Sequence, residues 1–286
     1  MGNRPLQGIF WMLLSGLCFV AVNGTVRATG SDVPATQAAF LRFAFGVLFL
    51  LPLVPGLLRM RFSGRLWRLF VLRGIVHCGA VIGWFFAMAR IPVAEVTALN
   101  YLNPILVTLG SALLFGERLS WRRVLAVAVA VAGTLIVLRP GVRAIEAGHL
   151  SQIIAACLFA ASYLIASRLS KEVPATIVVV MMSVTVTIGL APLALANWVS
   201  VTGLQLVYLA LAAAFGTGAH YCMTRAFDCA PLTVTQPVTF LQLVWGVLLG
   251  WIAFGETVDP FVLLGGGLII SAIAWLMWRD SRQART

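Results

Sequence analysis

Long apolar runs, separated by short polar joints, make up nearly the whole chain. Ten runs approach the twenty or so residues that a membrane-crossing helix needs at 1.5 Å per residue. They fall at 7–26, 35–55, 69–89, 93–114, 122–138, 150–168, 175–196, 204–224, 231–253 and 260–278. Prolines stand at the openings of several: Pro34, Pro92, Pro174, Pro231 and Pro260. A missing N–H costs little there, because the first turn of a helix leaves its N–H groups unpaired anyway. The joints are too short for a soluble domain. The stretch from Arg139 to Gly148 is the one candidate linker, and it divides five runs from five.

The two halves repeat each other. Val33-Pro34-Ala35-Thr36 returns as Val173-Pro174-Ala175-Thr176, and Phe115-Gly116-Glu117 as Phe254-Gly255-Glu256. Pro52 and Pro192, Pro92 and Pro231, and Cys18 and Cys157 match at nearly the same offset. This predicts an all-α integral membrane protein with ten transmembrane helices in two five-helix repeats, 1–140 and 141–286, acting as a single transport unit. Five crossings is an odd number, so the second repeat must be inverted, a recurrent construction of secondary transporters.

Composition agrees. The chain is 61% hydrophobic and 10% charged, with mean hydropathy +0.99, more apolar surface than a soluble domain can hide. The net charge of +11 does not point to nucleic acid, because the basic residues stand singly between apolar runs. Their placement is topological instead. With the N-terminus inside, 15 of the 20 basic residues fall on the cytoplasmic side, Arg27, Arg90, Arg139 and Arg143 fall outside, and Arg42 is left within a span. Basic residues concentrate on the cytoplasmic side of membrane proteins, so both termini are expected there. The run from Gly8 to Val26 reads as the first membrane helix rather than a cleaved signal. The five cysteines form no C-x-x-C pair, which argues against a disulfide framework or a metal site.

Polar groups at membrane depth are costly and face a cavity or a partner helix. In the third run Arg73 and His77 share a face; Arg73 is expected to snorkel to the interface, and His77 either lines a cavity or bonds a neighbouring helix. The fourth run carries Asn100, Tyr101, Asn103 and Pro104. The proline leaves the Asn100 carbonyl without its helical partner, so carbonyl, amides and phenol together suit a polar ligand. Glu95 stands near the outer end of this run as an interfacial charge or a partner for Arg90. The ninth run offers Gln236, Pro237, Thr239 and Gln242 at the matching depth. Polar centres in two repeat-related helices point to a midplane site. His220, Tyr221 and Arg225 lie in the eighth run, with Asp228 placed to pair with Arg225. Asn23, Ser162 and Tyr163 are further candidates, and Trp84 suits an aromatic wall. Gly79 and Gly83, and Gly246 and Gly250, form two G-x-x-x-G pairs for close helix approach within the bundle. No span has an Asp or Glu near its middle, so movement without obligatory proton exchange is expected. There is no phosphate loop, zinc motif or nucleophile elbow, so an enzyme is not expected.

Ala94 to Pro104 before Phe115-Gly116-Glu117-Arg118-Leu119-Ser120, and Pro231 to Gln242 before Phe254-Gly255-Glu256, resemble the drug/metabolite transporter superfamily and within it the ten-helix EamA family. The resemblance covers essentially the whole chain. It implies a multi-pass carrier of the bacterial inner membrane, commonly an exporter of amino acids or related metabolites, working by alternating access. Its central cavity would be lined here by Asn23, His77, Trp84, Asn100, Tyr101, Tyr163, His220, Tyr221, Thr239 and Gln242. The implied partners are a small-molecule substrate and membrane lipids, with no nucleic acid, no metal and no cofactor, in a monomer or homodimer. Uptake of a nucleoside-like or carboxylate metabolite stays open, as does a lipid flippase or lipid-modifying membrane enzyme.

Overall fold

The computed structural model describes residues 5–53, 61–100, 102–103, 105–106, 110, 121–139, 142, 144–169, 172–229, 238–239 and 241–283. Ten α-helices form among them: α1 Pro5–Thr29, α2 Ala35–Leu50, α3 Gly64–Met88, α4 Val93–Asn100, α5 Trp121–Leu138, α6 Ala147–Leu169, α7 Ala175–Ala196, α8 Gly203–Cys229, α9 Leu241–Phe254 and α10 Pro260–Gln283. No strand occurs among the described residues. Five helices are long and apolar enough to cross a membrane. Their outward faces carry bare apolar side chains, among them Ile75, Ile188 and Leu195, each more than 60% exposed. An apolar outer surface of that kind suits lipid contact and not water. The protein is an all-α, multi-pass membrane protein.

The repeated tetrapeptide explains two helix starts. Pro34 and Pro174 stand immediately before α2 and α7 with φ of −53° and −55°, the range the pyrrolidine ring imposes. The repeat-related prolines Pro52 and Pro192 have parted ways. Pro52 lies in the 3-10 turn Leu51–Leu53 that ends α2, whereas Pro192 sits inside α7. Ser63 caps α3 by accepting from the Leu66 N–H at 3.3 Å. Gly30 and Gly255, at φ +81° and +63°, turn the chain out of α1 and α9, a conformation that costs glycine little.

Helix packing records the two-repeat architecture. The heaviest contacts are α1 with α8, α3 with α6, α5 with α10, and α2 with α7; α4 also packs on α9. With α1 to α5 matched to α6 to α10, the pair α1–α8 is the mate of α6–α3. The other three pairs are their own mates. A two-fold relation between the halves produces this pairing. Small residues allow it. A Cβ on Gly133 would meet the Gly265 carbonyl oxygen at 2.6 Å, so α5 and α10 touch backbone to backbone. Gly83 likewise faces the Ser151 carbonyl and Ala155 of α6, and Gly246 faces Thr97 of α4.

The polar contacts at helix ends sort into two faces, as ten alternating crossings require. On one face Arg27, after most of α1, donates to the Met88 and Ile91 carbonyls. Gln37 exchanges bonds with the backbone of Val199, Gln205 reaches the Thr29 carbonyl, and Arg139 pairs with Asp259. On the opposite face Arg65 pairs with Glu172 at 3.0 Å. There Phe62, Leu66 and Phe70 pack on Leu169 and Val173.

Candidate functional site

The centre of the bundle is basic and aromatic. His77, 2% exposed, shares a 3.0 Å hydrogen bond between Nδ1 and Ser162 Oγ of α6. Its ring stands edge-on to Phe43 at 5.8 Å and to Phe159 at 5.3 Å. Phe159 stacks in turn on Tyr163, 6.2 Å between centroids at 20°. His77 therefore both bonds a neighbouring helix and forms part of an aromatic cluster joining α2, α3 and α6. One turn before it, Arg73 does not snorkel to the interface as its position near the start of the run suggested. It is 4% exposed and donates to the Val178 carbonyl at 2.9 Å and to Met182 Sδ at 3.2 Å. α7 crosses close enough at this depth to supply those acceptors. Gly74 shows how close, since a Cβ there would lie 2.5 Å from Thr185 Oγ1.

Arg42 is the second buried guanidinium, 8% exposed. It lies over its neighbour Phe43, 4.2 Å from the ring centroid, and against the bare backbone of Gly216 in α8. Its Nε has no hydrogen-bond partner, nor has that of Arg73. Arg42 lines a narrow chamber of about 10 Å³, bounded also by Met182, Ser183, Thr217 and His220. The charges of Arg42 and Arg73 both act on Tyr163, His77 and His220. Among the described residues neither arginine has an ion-pair partner. His220 is 7% exposed and meets Phe19 edge-on at 5.3 Å.

Three of the expected site residues thus converge: His77, Tyr163 and His220. A second polar patch lies between α4 and α6, where Gln152 donates to Asn100 Oδ1 at 3.4 Å. Asn103 Oδ1 and Gln152 Oε1 are buried acceptors without a donor. Gln242 packs on α1, 3.4 Å from where a Cβ on Gly16 would stand. Asn23, Thr239 and Trp84 are half-buried, and Trp84 meets Phe85 edge-on at 5.1 Å. Tyr221 is 53% exposed and touches Trp11 at 6.2 Å. Tyr101, Pro104, Gln236, Pro237 and the Asp228 side chain lie outside the described residues.

Two pairings, one buried and one part-buried, escaped the sequence reading. Glu95 does not pair with Arg90, whose guanidinium covers the Phe86 ring at 3.6 Å. Glu95 Oε2 instead accepts from His149 Nε2 at 2.7 Å, with both side chains nearly inaccessible. The Glu146 backbone N–H donates to His149 Nδ1 at 3.0 Å. That bond leaves Nε2 as the protonated nitrogen. Glu256, of the repeated Gly-Glu turn, forms an ion pair with Arg27, 3.0 Å between Oε1 and Nη2, and accepts a hydrogen bond from the Val93 N–H at 3.0 Å. Sequence spacing signals neither pair, because the partners lie 54 and 163 residues apart. Among the described residues no cluster of His, Cys, Asp or Glu has the makings of a metal site.

The EamA-like transporter family model matches twice, over residues 6–139 and 147–278. A riboflavin transporter of Rhizobium johnstonii is 32% identical over 99% of this chain and 95% of its own length. An S-adenosylmethionine uptake transporter of Rickettsia prowazekii is 24% identical over 97% of this chain and 94% of its own. A pseudopaline exporter of Pseudomonas aeruginosa is 26% identical over 93% and 94%. A solved crystal structure superposes over 98% of both chains with TM-score 0.65 at 21% identity, which shows a shared fold.

Proposed function

The chain belongs to the EamA-like transporter family, and on that premise we propose that it carries a flat, polar heteroaromatic metabolite across the bacterial inner membrane, with riboflavin the first compound to test. The observation that supports this reading is the aromatic cluster of Phe43, His77, Phe159 and Tyr163, flanked by Arg42 and Arg73. Flat rings stack on aromatic faces, and guanidinium forks match the carbonyl edge of a heterocyclic ring. The acceptors Asn103 Oδ1 and Gln152 Oε1 suit hydroxyl or amine donors elsewhere on the same molecule. The similar protein named for riboflavin adds weight to this choice over others.

The Arg42 chamber, about 10 Å³, has room for about one water and falls far short of the 300–1,000 Å³ or so of most ligand sites. Binding therefore requires the helices around it to part, as alternating access provides. Inverted repeats supply two such arrangements by exchanging the roles of the halves. The two-fold helix pairing supports that exchange. Net direction follows the substrate's own gradient, and the relatives' names run both ways.

Counterflow tests the reading. Proteoliposomes preloaded with riboflavin should take up labelled riboflavin well above empty liposomes, with competition by flavin analogues. A second reading, export of amino acids or their analogues, draws on the unpartnered arginine nitrogens, which suit a carboxylate equally. Counterflow of an amino acid with none of riboflavin would favour that second reading and end the first.

A further inference from the structure

We propose that the chamber between α2, α7 and α8 is an oxyanion site, with Arg42 as its cation. Arg42 carries a permanent charge and is more than nine-tenths buried. A charge in that setting needs a partner or a strong set of acceptors. Other arginines of the bundle have them: buried Arg73 is held by the Val178 carbonyl and Met182 Sδ, and part-buried Arg27 by two carbonyls and Glu256. Arg42 is the exception. No hydrogen bond from it is formed among the described residues, its Nε is shut away from solvent unpartnered, and its side chain lines the chamber.

The walls fit an anion. Ser183 and Thr217 bring hydroxyl donors, and among the described residues no carboxylate lines the space. Arg73 adds positive charge nearby, since it acts on His220, another lining residue. Gly216 matters by what it lacks, because a Cβ there would collide with the Arg42 guanidinium. The ligand class is a small oxyanion, a phosphate or carboxylate group, admitted when the helices around the chamber part as alternating access provides. It arrives either as a free ion or as part of the transported molecule, and in the latter case the site rests on the carrier reading above.

Binding is read on purified protein, independently of transport. Thermal unfolding should shift upward by several degrees, saturably, with sodium phosphate or sodium formate against chloride at equal ionic strength. The shift should vanish in Arg42→Gln and persist in Arg65→Gln, which alters only the surface pair with Glu172. If Arg42→Gln does not fold, Gly216→Ala should weaken the apparent phosphate affinity at least threefold. Counterflow then separates the sources. A substrate-borne group predicts that flavin mononucleotide is carried and that free phosphate competes. A free ion predicts riboflavin exchange accelerated by phosphate, with no exchange of the mononucleotide. No anion-dependent shift in the unaltered protein, or an equal shift in Arg42→Gln, or in Gly216→Ala where that variant stands in for it, would overturn the site. Loss of flavin transport with the shift intact would overturn only the flavin reading.

Discussion

Glu256 Oε2 accepts a hydrogen bond from the Val93 N–H at 3.0 Å, so the turn that closes α9 caps the first turn of α4 in the other repeat. The same carboxylate holds Arg27, and Arg27 holds the end of α3. One acidic side chain thus ties four helices at one face. A carboxylate at a helix N-terminus meets unpaired N–H groups and the positive end of the helix dipole.

Removing that carboxylate should be costly. Glu256→Ala is expected to destabilise the protein by about 2 kcal/mol, combining a lost cap with a cation left part-buried. Thermal unfolding measures it. A double-mutant cycle with Arg27→Gln should show coupling between the two; independent effects would mean that Arg27 is satisfied by the Met88 and Ile91 carbonyls alone.

Glycines should separate by mechanism. Gly133→Leu drives a side chain into the Gly265 carbonyl and Ile269 and should abolish recovery of folded monodisperse protein. Gly30→Ala meets nothing within 4 Å but sits at φ +81°. It should cost only about 1 kcal/mol of backbone strain. Equal yields for the two variants would contradict the backbone contact between α5 and α10.

Asn100→Ala and Gln242→Ala should each weaken transport several-fold while leaving folding nearly intact, as expected when a binding hydrogen bond of about 1 kcal/mol is removed. Asn100→Ala also takes from Gln152 its partner, so it should lower the unfolding temperature slightly more than Gln242→Ala. Normal transport by both variants would make these residues packing groups.

The basic-residue bias predicts that both termini lie in the cytoplasm. A single cysteine replacing Asp32, in the exposed turn before α2, should react with a membrane-impermeant maleimide in intact spheroplasts. One replacing Glu172 should react only after permeabilisation. The reverse pattern would turn the molecule over.

Counterflow should proceed with a protonophore present and no imposed pH gradient. The described carboxylates lie at helix ends, in the first turn of α4 for Glu95 and in the turns flanking α9 and α10 for Glu256 and Asp259. Uphill accumulation driven by a pH gradient alone, abolished in Glu95→Gln or His77→Ala, would show obligatory proton coupling instead.

The apolar runs located the helices well. The run at 175–196 coincides with α7, and those at 35–55 and 260–278 begin where α2 and α10 begin. Run length reports burial in lipid, which depends on local composition alone. The rotation of each helix about its axis does not, because it depends on partners far along the chain. Hence Arg73 was expected at the interface and is buried against α7. Arg42 was noticed in a span without its chamber being seen, and Tyr221 sits beside His220 in sequence yet faces outward. Residues already expected at the centre, His77, Tyr163 and His220, were legible because an ionisable or phenolic group in mid-span has few other places to go.

Ser15 Oγ donates to the Ala219 carbonyl across 204 residues of sequence, and α1 finds its main partner in α8. This has a consequence for biosynthesis. At about 5–20 residues per second, α8 leaves the ribosome some tens of seconds at most after α1 has entered the bilayer. During that interval the first helix, with its buried Ser15 and part-buried Asn23, must stand beside lipid or the insertion machinery. A nascent chain stalled before α8 should therefore expose α1 to crosslinking by insertase components, and release it only once the second repeat has arrived.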